Sequence, residues 1–192
     1  MTEFSPLKGF SDARAVQRLN LQQARTLGYQ NPEDLYDPHN IRLVWRQMKL
    51  LKQNPQNYEG AFFDNWMAGY VRTAEWTIDD EIPFSSDIAR GRLRELQESG
   101  MSIDPLHKLG VSALIVSNRL DEDMQYDVVE QLLDRAIDRG IALGNRAVNI
   151  VVTEPDPILE AVRDHGFLAT GRIADYPGST RTRRLYTKPL DS

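Results

Sequence analysis

Three stretches decide the fold: VSALIV at 111–116, VVEQLLDRAIDRG at 128–140 and AVNIVV at 147–152. The first and last are short runs rich in Val and Ile, as strands covered on both faces require. Between them Val128, Val129, Leu132, Leu133, Ala136 and Ile137 recur at helical spacing. Strand, helix and strand in that order predict a parallel pair joined by a crossover. Asp127 with Glu130 three residues on reads as an N-cap and its partner acid, and Gly140 or Gly144 as the stop.

The flanks extend this unit. Downstream, Ile158, Leu159 and Val162 predict a short helix that stops at Gly166. Residues 167–174 and 181–187 alternate as a final strand pair around Pro177-Gly178. Upstream, Ala61–Phe63 and Met67–Thr77 predict a hairpin across Asp64-Asn65. Gly69 inside its second strand marks a bulge or a close approach by another backbone. A polar helix follows over 86–99, and 100–110 lacks periodicity. Near the N-terminus, Val16, Leu19, Ala24 and Leu27 predict a helix capped by Ser11 or Asp12 and stopped by Gly28. A second helix, starting at Asp37-Pro38, is predicted to bury Ile41, Val44, Trp45, Met48 and Leu51. Its other face carries Arg42, Arg46, Lys49 and Lys52. The order α-α-β-β-α-β-α-β-α-β-β predicts an α/β (α+β) fold: a mixed, mostly antiparallel sheet with a central parallel strand pair and flanking helices.

At 192 residues the chain fits one domain over 1–192. The net charge of −5 argues against generic nucleic-acid binding. Cysteine is absent, which excludes disulfides, thiolate metal sites and a cysteine nucleophile. His39, His107 and His165 form no ligand pair at helical spacing, so no metal is expected. No apolar run approaches the roughly 20 residues of a membrane span, and Met1–Phe10 has no signal-peptide core. A cytoplasmic location without membrane partners is the expectation. No Ser/His/Asp, phosphate-loop or dinucleotide-binding signature appears.

Further motifs accompany the deciding unit: LL-x-x-A-I at 132–137, GF-x-x-x-G at 166–171 and K-P-L at 188–190. With the strand and helix runs, they make the second half resemble the GNAT superfamily of acyl-CoA N-acyltransferases. The likeness covers roughly 80 residues well and the rest by order of elements. It implies that acetyl-CoA is the co-substrate and lies in a V-shaped gap between strands 111–116 and 147–152. Its pantetheine arm would pair with the backbone of Leu114, Ile115 and Val116. Its pyrophosphate would sit at the following helix start, where unpaired N–H groups favour anions. The family's loop pattern, Gln/Arg-x-x-Gly-x-Gly/Ala, aligns with Met124, Gln125, Tyr126, Asp127, Val128 and Val129. Residues 30–108 would carry extra helical elements that shape the acceptor side. The implied activity is direct transfer of an acetyl group to an amine of a small molecule or peptide, with a homodimer possible through sheet edges.

The chain departs from that pattern at specific positions. Neither glycine is present, and Asp121, Glu122, Asp123 and Asp127 stand where pyrophosphate binds in the family. Val162 stands four residues before Gly166-Phe167, where many members carry a tyrosine acid, and 153–157 lacks the family's asparagine. Glu75 is then the candidate base, with Tyr176, or Tyr126, the candidate phenol. Arg181, Arg183, Arg184 and Lys188 could grip a phosphate or blunt an edge strand. The alternative function is a GNAT-fold protein that has lost transferase activity and serves as a ligand-binding or assembly module.

Overall fold

In the computed structural model, which describes residues 2–98, 107–154, 158–173 and 182–190, seven strands form one mixed sheet. In chain order the elements are β1 (Glu3–Pro6), α1 (Phe10–Thr26), α2 (Glu33–Tyr36), α3 (Ile41–Gln53), β2 (Tyr58–Phe63), β3 (Trp66–Glu75), α4 (Ile78–Glu81) and α5 (Asp87–Glu98). Then come β4 (Lys108–Val116), α6 (Glu122–Ala142), β5 (Ala147–Glu154), α7 (Ile158–Asp164), β6 (Leu168–Ile173) and β7 (Thr182–Pro189). The strand order is β1-β2-β3-β4-β5-β7-β6, with β4 and β5 parallel. This is the mixed, mostly antiparallel sheet with one parallel pair that the patterning predicts. The chain divides into two compact units, Met1–Thr73 with Ala113–Leu133 and Ala74–Ser112 with Asp134–Ser192. No helix among the described residues is long and apolar enough to cross a membrane.

In the first unit, Asp64 and Asn65 both take positive φ and make the tight turn between β2 and β3. Ala61 pairs with Gly69 but Phe62 with Met67, so Ala68 is the extra residue of a bulge. A Cβ on Gly69 would lie 2.9 Å from the Ile115 carbonyl oxygen and 3.3 Å from Val128 Cγ1. Both readings of Gly69 therefore hold: it adjoins a bulge and admits the backbone of β4. Leu7, Val16, Leu19, Val44, Met48, Leu51, Tyr58, Met67, Tyr70 and Ile115 form the core.

Four points differ from expectation here. β1 was not expected; its four residues carry a proline and little alternation, and its pairing with β2 makes it a strand. Helix α1 starts at Phe10 with Gly9 as N-cap, and Asp12 instead accepts the Lys8 and Gly9 N–H groups at 2.9 and 3.0 Å. Helix α3 starts at Ile41 with Asn40 accepting the Arg42 N–H, four residues after Asp37. Its Ile41 and Trp45 are 62% and 55% exposed rather than buried. The buried stripe runs through Val44, Gln47, Met48 and Leu51 instead. Gln47 can enter the core because Gln17 donates to it at 3.4 Å.

In the second unit, β5 pairs with β7 along its whole length and β7 with β6. Gly140 packs on β5: a Cβ there would lie 2.9 Å from Val148 Cγ2. Gly144, at φ +70°, stops α6, with its N–H donating to Ile141 and the Asn145 N–H to Gly140. Ser86 caps α5 through the Ala89 N–H. The Pro177-Gly178 turn and the aperiodic stretch up to residue 106 lie outside the described residues.

Candidate active site

The parallel ladder between β4 and β5 is short. Lys108, Leu109, Gly110 and Val111 face Ala147, Val148, Asn149 and Ile150, and no pair follows. Both strands continue, β4 to Val116 and β5 to Glu154. Where pairing stops, a cavity of about 360 Å³ opens, lined by Val111, Ser112, Val151 and Thr153 and by Trp76, Asp79, Asp80, Pro83, Phe84 and Arg183.

Two strand glycines seat its aromatic wall. A Cβ on Gly110 would meet the Trp76 ring at 2.7 Å, and one on Gly171 would meet Phe84 Cβ at 2.7 Å. The two rings lie 6.3 Å apart. Trp76 is further pinned: its N–H donates to the Lys108 carbonyl at 3.0 Å and its indole N–H to Glu81 at 2.6 Å. The Glu81 carboxylate also pairs with Lys108 Nζ at 3.2 Å. Asp80 accepts the Thr77 N–H and hydroxyl at 2.9 and 2.8 Å, so it closes the start of α4. Asp79 is exposed at the rim. The arrangement is a half-apolar pocket whose lining includes the hydroxyls of Ser112 and Thr153, the carboxylates of Asp79 and Asp80 and the guanidinium of Arg183.

Asn149 lies beside this region, fully buried. It pairs with Gly110, so both residues address one face of the sheet. Its Oδ1 accepts from Thr187 at 2.8 Å, whereas Nδ2 has no partner among the described residues.

The sequence-predicted residues fall as follows. Glu75 ends β3 as an exposed side chain and does not line this cavity. Tyr176 and Arg181 lie outside the described residues. Leu114 and Ile115 are buried, and the half-buried Val116 offers a carbonyl that accepts Gln22 Nε2 at 3.1 Å. Met124, Gln125, Tyr126, Asp127, Val128 and Val129 are not a loop, as the alignment implied, but the first turns of α6. The cap is Asp121, not Asp127: its Oδ1 accepts the Met124 N–H at 2.8 Å and its carbonyl the Gln125 N–H at 2.9 Å. The physical reason is that an acid six residues earlier captures the first turn. The N–H groups of Val128 and Val129 are then bonded within the helix, and their side chains are buried. The sequence reading missed Trp76, Asp79 and Phe84. The signal for the aromatic pair was glycine within strands, at Gly110 and Gly171.

No protein-family model and no curated relative matches the chain. Solved structures do. An acetyltransferase of the GNAT family from Streptococcus pneumoniae matches with TM-score 0.65 at 16% identity, over 100% of both chains. The ribosomal-protein-alanine N-acetyltransferase from Brucella melitensis matches with TM-score 0.66 at 11% identity, over 98% of this chain and 99% of that one. YncA of Salmonella typhimurium, solved with its cofactor acetyl-CoA, matches with TM-score 0.64 at 11% identity, over 99% and 94%.

The chain has the GNAT fold. Against that fold, the early stop of the β4–β5 ladder is the feature of interest. Val162, in the position the resemblance gives to a tyrosine, is sealed in the core and donates no proton.

Proposed function

We propose that this GNAT-fold protein is an N-acyltransferase that moves an acetyl group from acetyl-CoA to an amine by direct attack. One observation carries the reading: β4 and β5 stop pairing after Val111 and Ile150, and a cavity opens at Ser112 and Val151. A strand without a neighbour offers peptide groups to an added strand, and the amides of a pantetheine arm can use them. In this reading the backbone of Leu114 and Ile115 holds the arm, with the Val116 carbonyl already accepting Gln22 Nε2, and the 76–84 cavity receives the amine. Asp79 and Asp80 outnumber Arg183 in its lining, which favours a cation there.

The chemistry then needs little. An ammonium held there first gives one proton to water; the neutral amine nitrogen then bonds to the thioester carbon, the carbon–sulfur bond breaks, and a second proton leaves the nitrogen. Bonding to the acyl carbon acidifies that nitrogen, so a carboxylate can accept the proton. We assign this role to Asp79 before Glu75, because Asp79 lines the cavity. A thiol with pKa of about 8.5 leaves as thiolate without a strong acid, which suits the valine at 162. Tyr176 and Tyr126 are further phenols that could protonate it. The acceptor is an amine on a small molecule or peptide, the setting is the cytoplasm, and a homodimer through the sheet edge is compatible with both.

The test is calorimetry with acetyl-CoA, followed by thiol release across an amine panel. Saturable binding and amine-dependent thiol release are expected. Absence of heat and of any thermal shift at millimolar acetyl-CoA would sink the reading. One observation favours the alternative, a binding or assembly module without transfer: Asp121, Glu122 and Asp123 crowd the start of α6, and Asp121 already occupies its donors. That reading expects binding of a ligand other than acetyl-CoA and no thiol release.

A further inference from the structure

Helix α3 carries Arg42, Arg46, Lys49 and Lys52 and no carboxylate, in a chain of net charge −5. All four side chains are exposed, and none has an ion-pair partner among the described residues. Ile41 and Trp45 of the same helix are exposed as well. At 3.6 residues per turn these six fall within an arc of about 140°. The buried Val44, Gln47, Met48 and Leu51 occupy the other side. The outer face of α3 is therefore apolar along one edge and positive across the rest.

Trp45 is held in place. Its ring meets that of Phe10 edge-on, with the centroids 6.1 Å apart and the planes at 63°. The Arg14 guanidinium lies 5.5 Å from the Phe10 centroid, so α1 adds a further cation to the same patch. An indole already seated on a neighbour loses little freedom when a partner covers it, and tryptophan and arginine are the residues that most often anchor an interface. The charge decides what kind of partner fits. Unpaired cations along one helix repel one another until carboxylates lie opposite them. Helix α3 is roughly 20 Å long. A broad anionic surface, such as a bilayer or a nucleic acid, would extend beyond it and meet the carboxylates that give the chain its negative charge. With screening over about 8 Å, a narrow acidic segment meets the patch alone.

We propose that the outer face of α3, with Phe10 and Arg14 of α1, is a docking surface for an acidic amphipathic helix of a partner protein. Apolar side chains of that helix pack on Trp45 and Ile41, and its carboxylates pair with Arg14, Arg42, Arg46 and Lys49. The proposal uses no residue of the acyl-transfer reading and stands independently of it.

The experiment follows, by fluorescence anisotropy, a dye-labelled peptide of about 14 residues with leucine on one helical face and glutamate on the others, titrated with the full chain. The same peptide with lysine for glutamate, a single-stranded RNA, and vesicles of phosphatidylcholine with phosphatidylserine serve as competing probes. Variants are Trp45→Ala, the combination Arg42→Gln, Arg46→Gln and Lys49→Gln, and, as a control on α5, Arg92→Gln with Arg94→Gln. Circular dichroism checks folding, and the charge variant carries the test if Trp45→Ala does not fold. Saturable binding of the glutamate peptide supports the surface if it falls about tenfold or more in each α3 variant, weakens with salt and survives the α5 control. No saturable binding of that peptide, equal binding of the lysine peptide, or an equal loss in the α5 control overturns the proposal. Tighter binding of the RNA or the vesicles through the same α3 residues also overturns it, because the occupant would then be a nucleic acid or a membrane. So does self-association of the chain that Trp45→Ala abolishes, because a second copy would then cover the face.

Discussion

The Asp121 carboxylate accepts the Met124 N–H at 2.8 Å and so closes the first turn of α6. A co-substrate diphosphate at this turn would compete with that carboxylate for the same donors. The cap and the cofactor therefore make opposite demands on one residue.

Asp121→Ala tests this directly. The variant is expected to lose about 1 kcal/mol of stability with the cap, read as a lower urea midpoint. It is also expected to bind acetyl-CoA more tightly in calorimetry. A loss of affinity together with stability would mean that Asp121 organises the site rather than blocks it.

Gly69 and Gly91 form a contrast. A Cβ at Gly69 would sit 2.9 Å from the backbone oxygen of Ile115, whereas at Gly91, in α5, nothing lies within 4 Å. Gly69→Ala is expected to destabilise by about 1–3 kcal/mol, because β3 and β4 must move apart. Gly91→Ala is expected to stabilise by roughly 0.5–1 kcal/mol through helix propensity. Thermal unfolding of the two variants separates steric contact from backbone entropy.

Tyr70 supplies a pH dependence. Burial pushes its phenol well above the ordinary tyrosine value, and the neighbouring Tyr58 adds to this. Its hydroxyl donates to Asn20 Oδ1 at 2.5 Å. The unfolded chain releases this proton near pH 10 while the folded chain keeps it. The contribution is thus full below about pH 10 and falls as pH rises further, by up to about 1.4 kcal/mol per pH unit for one proton. Urea midpoints between pH 8 and pH 11, within the range where tyrosine titrates at about 10, should fall less steeply in Tyr70→Phe.

Asp79→Asn addresses the acceptor pocket. With a cationic amine as acceptor, KM is expected to rise about tenfold at low salt if the rim charge steers binding, with acetyl-CoA affinity unchanged. If Asp79 instead takes the proton, kcat falls as well. Steady-state kinetics across pH distinguish the two, and no change in either constant would remove Asp79 from the site.

Much of the fold was legible from local patterning. The apolar runs at 111–116 and 147–152, with the helical stripe between them, correspond to β4, β5 and α6. Gly69 also announced the close approach it makes. The start of α6 was misread because Asp127 and Asp121 are both plausible caps, and only the helix geometry selects between them. Ile41 and Trp45 were misread because apolar spacing alone does not reveal that Gln17 satisfies Gln47 inside the core. Nothing near Trp76 or Phe84 in the chain identified them as a cavity wall. Their partners, Gly110 and Gly171, are remote in sequence.

The amino-acid sequence by itself determined the strand–helix–strand crossover and the glycine stops at Gly28 and Gly166. These follow from burial periodicity and backbone preference, which act over a few residues. Only the tertiary structure decided where the β4–β5 ladder ends and which of two aspartates caps α6. It alone also brought Phe10 against Trp45. Those features depend on contacts between residues far apart in the chain, and no local preference encodes such contacts.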